Sequence, residues 1–221
     1  MQPRSLARAT SAAFMAAGAC LALWAVLHPW NHLAGARVGG STRWIVAHTF
    51  HFLSGLALLG AIAGFAVLRL RTATRLGTVA AGVWLAGAAL WTGTGMITAF
   101  LWPTLAAHAP RLTEANGPIF SPPHPLIVAT NLVFCAGMIL TAVAMARTGA
   151  LPPAAAALLA GGALVLLVPP HPLGPAPWWL FVAGGVASGV GTALLGPAVA
   201  RLTGAADEAD ARERRAALAV A

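Results

Sequence analysis

The sequence predicts an all-α fold, a polytopic transmembrane helix bundle of six spans with both termini on the cytoplasmic side (N-in/C-in). Two features of composition carry that expectation, and the placement of arginine gives it a direction. Hydrophobic residues make up 59% of the 221 and charged residues only 8%, where a soluble domain carries about 25% charged. The mean hydropathy is +0.80, so water is the wrong solvent for most of this surface. In lipid, only helices or closed barrels satisfy their own backbone. The apolar runs here are long and continuous rather than alternating ten-residue segments, which excludes a barrel.

A span needs about 20 mostly apolar residues. Six runs approach or meet that length, at about 9–27, 44–68, 76–102, 126–146, 151–168 and 178–200. They form one transmembrane domain over 1–202, and residues 203–221 form a charged tail. The third run is long enough to tilt, and the fifth reaches span length only when it starts near Leu151. The tail "ADEADARERRAALAV" is the one charge-dense segment and reads as a short exposed cytoplasmic helix.

Arginine sets the orientation, since the chain has no lysine. Arg4, Arg8, Arg69, Arg71, Arg75, Arg147, Arg201, Arg212, Arg214 and Arg215 flank one side, and only Arg37, Arg43 and Arg111 the other. Positive residues accumulate on the cytoplasmic side. The net charge of +8 is therefore a topology signal meeting lipid headgroups, not a nucleic-acid patch. The expected partners are the bilayer and other subunits of a membrane complex, and the expected location is a bacterial-type inner (plasma) membrane, crossed several times.

Several chemistries drop out. Lysine-based Schiff bases need an amine, and none is present. The five carboxylates, Glu114, Asp207, Glu208, Asp210 and Glu213, all lie outside the spans, which removes the buried acids of ion-coupled transport. Cys20 and Cys135 each fall inside a span and read as small packing residues. Cys20 in "AAGAC" is not a processing site, because the apolar run continues through "LALWAVL". Ser188 in "VASGVG" has valine where an intramembrane serine protease motif has its leading glycine, and no helix follows to supply a histidine.

Histidine remains, and all seven fall on the outer side: His28, His32, His48, His51, His108, His124 and His171. His28 and His32 are four apart and His48 and His51 three apart, spacings that share a helix face. His48 and His51 sit about 6 to 10 Å below the outer boundary at 1.5 Å per residue. Imidazoles at that depth need partners, ligands or water. His28-Pro29, His124-Pro125 and His171-Pro172 form a weak repeat, the last two within "PPHPL". Proline on either side stiffens the backbone that carries the ring.

Imidazole is a common ligand for zinc and copper and a usual axial ligand for haem iron. One assignment pairs His48 or His51 with His108 or His124 around a b-type haem. The other gathers His28, His32 and His171 around a transition metal, copper or zinc. No "HExxH" or "CxxC" spacing is present. The expected function is a membrane redox or metal-handling protein. Two alternatives stay open, a non-catalytic accessory or scaffold subunit, and a carrier for a small or lipidic solute. The carrier would use a groove on the third span, where Trp84, Trp91 and Thr98 recur at seven-residue spacing with Thr92 and Thr94 nearby.

Helix contacts are expected at Gly60 and Gly64 and at Gly185 and Gly189, two small-xxx-small pairs. Trp30, Trp44, Trp102, Trp178 and Trp179 all map to the outer boundary, where an aromatic belt anchors a bundle.

Overall fold

The computed structural model describes residues 3–31, 35–69, 74–114, 117–119, 125–167 and 176–220; for Pro3, Arg69, Ala176, Pro177 and residues 205–220 only the backbone is described. Among the described residues there is no strand. The helices are α1 (Pro3–Leu27), α2 (Ala36–Gly39), α3 (Thr42–Arg69), α4 (Arg75–Met96), α5 (Trp102–His108), α6 (Pro125–Arg147), α7 (Pro153–Leu166) and α8 (Ala176–Val220). A π-helical turn, Ile97–Leu101, joins α4 to α5, and a 3-10 turn spans Pro110–Thr113.

Five helices are long and apolar enough to cross a membrane, and α7 is a shorter apolar helix. The protein is an integral, multi-pass membrane protein built as an all-α bundle. With 14 residues, α7 rises only about 21 Å against a hydrocarbon core of ~30 Å. The charged tail is not a separate short helix: α8 runs 45 residues from Ala176 to Val220 without a break.

The five long helices and α7 form a closed ring in the order α1, α3, α4, α6, α7, α8, with α8 packed back on α1. Neighbours are antiparallel. Thr92 meets Gly55 while Phe52 meets Gly95 across α3 and α4, and Phe134 meets Gly87 while Trp84 meets Gly137 across α4 and α6. Only the absence of a side chain allows the backbones that close. In lipid, where no hydrophobic force drives helices together, such close contact holds the bundle.

Aromatic side chains fill the ring's interior. Phe14 of α1 stacks on Trp84 of α4 at 6.0 Å, and Trp24 of α1 meets Trp91 of α4 edge-on at 4.9 Å. Trp91 stacks in turn on Phe134 of α6 at 4.4 Å. Large apolar residues such as Leu23, Leu53, Leu56, Val79, Leu132, Leu164 and Val190 are exposed on the outside, the pattern that lipid, not water, accepts. Of the four small-spacing glycines, Gly64 packs on Thr10, Gly185 on Ala25 and Gly189 on Gly18. Gly60 meets nothing, so its part in a helix contact is not realised. Cys20 and Cys135 are free thiols.

A histidine and tryptophan cluster at the outer end

The outer ends of α1, α3 and α8 converge on three histidines. His28 follows the last turn of α1, its N–H still donating to the Trp24 carbonyl at 2.9 Å. Pro29 ends that helix, and Arg43 of α3 covers the end by donating from Nε to the Leu27 carbonyl at 2.9 Å. This contact ties α3 to α1 beside His28 and brings His48 opposite it. The two imidazole centroids are 4.9 Å apart. His51, one helical turn deeper, lies 6.0 Å from His48. All three are buried.

Aromatic rings enclose them. Trp44 stacks on His48 at 4.0 Å, and Trp178 and Phe181 of α8 flank His28 at 5.5 and 5.6 Å. Trp24 and Trp91 enclose His51 at 5.3 and 3.9 Å. The five boundary tryptophans thus divide. Trp30 and Trp179 are 64% and 73% exposed, as anchors should be, but Trp44, Trp102 and Trp178 are buried to 4%, 5% and 9%. All three turn inward rather than out to lipid, Trp44 and Trp178 onto the histidines and Trp102 onto Trp44.

The π turn is explained by one of them. Pro103 has no N–H, so in the widened register, where the Trp102 N–H reaches the Ile97 carbonyl, the Thr98 carbonyl loses its next donor. Trp44 supplies it: its indole Nε1–H donates to that carbonyl at 2.8 Å. The same side chain then stacks on His48 and on Trp102. Replacing Trp44 with Phe keeps the stack and removes the donor. The expected cost is about 1–3 kcal/mol, read as a lower melting temperature of the detergent-solubilised protein.

Polar satisfaction is uneven across the cluster. His48 Nδ1 lies 2.9 Å from the Trp44 carbonyl and so carries its proton there, leaving Nε2 as a lone-pair nitrogen. His28 Nδ1 lies 3.3 Å from the Pro29 carbonyl. Trp91 Nε1 donates to the Ser54 hydroxyl at 3.0 Å, which donates to the His51 carbonyl at 2.6 Å. The ring of His51 is different. Neither of its nitrogens has a hydrogen-bond partner among the described residues, and neither has the adjacent Trp24 Nε1. Three orphaned nitrogens in one buried place are unusual, because buried polar groups are nearly always paired.

The residues read from the sequence are thus sorted. His28, His48 and His51 come together, across the division drawn between a haem set and a metal set. His108 is the last residue of α5 and is exposed, and among the described residues it makes no ring contact with His48 or His51. His32, His124 and His171 lie outside the described residues. Among the described residues no three His, Cys, Asp or Glu side chains form a ready-made metal site. Trp24, Trp44 and Trp178 were missed as site residues, the last two being read as boundary anchors, and Trp91 was read as lining a groove rather than enclosing His51. The seven-residue series on α4 is packing at two positions: Trp91 bonds Ser54, and Thr98 bonds back to the Thr94 carbonyl at 2.8 Å. No family model matches the chain, and no curated protein or solved structure does either.

Proposed function

We propose that this membrane protein binds a transition-metal ion of the copper or zinc class at its outer end, through His28 and His48 with His51 as the third imidazole. The observation that carries this reading is three buried imidazoles gathered in an aromatic enclosure, one of them with both nitrogens unpaired. An imidazole nitrogen sits ~2.0–2.1 Å from such an ion, so two ring centroids on one ion stand about 5 Å apart at a tetrahedral angle and about 6 Å apart in line. The His28–His48 separation of 4.9 Å falls at the first value, and His51, 6.0 Å from His48, would join them by turning toward the ion.

The proton on His48 Nδ1 supports the reading as well. A ligating histidine commonly donates its other N–H to a carbonyl, which fixes the tautomer and the ring direction. Neither nitrogen of His51 is held in a well-formed hydrogen bond among the described residues, which leaves a lone pair for an ion. A haem is the weaker occupant of the same histidines. His48 and His51 leave one helix three residues apart and cannot face each other across a porphyrin. The His28–His48 separation of 4.9 Å is shorter than the ~6 Å that two in-line imidazoles on opposite faces of an iron need.

The enclosure suits metal handling on the outer side of a bacterial-type plasma membrane, by holding the ion or by passing electrons through it. The test is elemental analysis of the purified protein after incubation with copper or zinc and removal of free metal. One ion per chain is expected; a metal content at the level of a protein lacking histidine overturns the proposal.

A further inference from the structure

The chain supplies its histidine cluster with no negative charge. Of the five carboxylates, Asp207, Glu208, Asp210 and Glu213 lie at the far end of α8. Asp207 follows Trp178 by 29 residues, about 44 Å along the helix at 1.5 Å per residue. Glu114 is exposed in the outer loop, against Gly35. Cys20 of α1 precedes His28 by eight residues, which sets its thiol about 12 Å deeper. Arg43, held on the Leu27 carbonyl beside His28, adds a positive charge instead.

Water is kept from the three rings as well. His28, His48 and His51 are 7%, 3% and 6% exposed, and Trp24, Trp44, Trp91, Trp178 and Phe181 pack around them. A zinc ion on three imidazoles keeps a fourth position for water, and loss of a proton from that water cancels one of its two charges. Aromatic rings surround the imidazoles here instead. A ligating imidazole is neutral, so the ion keeps its whole charge inside the enclosure. The Born cost of taking an ion out of water rises with the square of its charge. Zinc or oxidised copper therefore costs about four times what a monovalent ion of equal size costs.

Building on the three-imidazole metal site proposed above, we infer that the ion it takes is monovalent copper, Cu(I), in preference to zinc or any other dication. Imidazole suits copper, and Cu(I) is complete with two or three ligands and no bound water. The His28–His48 pair, 4.9 Å apart, supplies two of them. His51, with both nitrogens free of hydrogen bonds among the described residues, supplies the third. Aromatic faces attract a cation more strongly once it is stripped of water, and five such rings border this cluster. A monovalent ion gains that attraction at the smallest desolvation cost.

The test titrates the full-length detergent-solubilised protein, without oxygen, with Cu(I) against bicinchoninate and separately with Zn(II) against a chromophoric zinc chelator. One Cu(I) per chain is expected, with zinc bound roughly 100-fold more weakly. The bound copper should show the X-ray absorption edge of two- or three-coordinate Cu(I). Cu(I) should stay bound when Cys20→Ala and Cys135→Ala are combined, which removes both thiols, and should be lost in His48→Phe at an unchanged melting temperature. Zinc held as tightly as Cu(I), or one Cu(II) per chain held without a reductant, overturns the inference and leaves the metal site standing. Cu(I) lost with the two thiols, or kept by His48→Phe, overturns it by placing the ion elsewhere. Binding of neither metal removes the metal site and this inference together.

Discussion

His48→Ala is expected to reduce bound copper or zinc from one ion per chain to background, while His108→Ala leaves it unchanged. His48 packs against both other imidazoles, with its ring 4.9 Å from His28 and 6.0 Å from His51. Loss of a mere supporting partner of a metal ligand costs ~10–100-fold in affinity, and loss of the central ligand should exceed that. His51→Ala should fall between, because the His28–His48 pair, 4.9 Å apart, remains. Removing a buried ring also leaves a void beside Trp44, so the reading needs a variant that keeps the packing. His48→Phe does so: it preserves a flat ring where His48 stacks on Trp44 at 4.0 Å and removes both nitrogens. Metal lost in both variants, with the melting temperature held in His48→Phe, identifies a ligand. Metal retained in His48→Phe, or lost in His108→Ala, would place the ion elsewhere.

The bundle itself was readable from hydropathy and arginine placement, because both depend only on which residues lie near one another along the chain. What escaped depends on helix rotation. Trp44 and Trp30 both sit at the outer boundary, yet one is buried at 4% and the other exposed at 64%; a boundary position fixes depth but not direction. Spacing put His28 in a metal set and His48 and His51 in a haem set, but the ring closes α1 against α3 and brings these three together. Pro103 lies just past the third span as read from hydropathy. That its consequence would be a carbonyl served by Trp44, 54 residues earlier, needed the third dimension. The cavity between Phe65 of α3 and Gly77 of α4 is a space left among five helices, and no single segment encodes it.

Rotation also sets the second large effect. Gly189→Leu is expected to unfold the bundle or leave it in aggregates, and Gly60→Leu to leave it intact. The two glycines belong to identical four-residue spacings, Gly60 with Gly64 and Gly185 with Gly189, and a sequence rule treats them alike. A Cβ on Gly189 would come within 2.6 Å of the Gly18 carbonyl and 2.8 Å of the Ala22 nitrogen. Both are backbone atoms of α1, which cannot yield as a side-chain tip can. A Cβ on Gly18 would in turn overlap the Gly189 carbonyl, so the contact is tight from both sides. It lies where the last helix closes on the first, and prying it apart opens the ring rather than bending one edge. Overpacking a core by a few methylenes costs ~1–3 kcal/mol when neighbours can shift, and here they cannot, so the loss should lie above that range. At Gly60 the new side chain meets open space and removes a helix-interior glycine, worth about 0.8–1.0 kcal/mol in the stabilising direction. Size-exclusion profiles and thermal melts of the two variants in one detergent compare them directly. Equal behaviour would mean that the α1–α8 contact does not hold the ring closed.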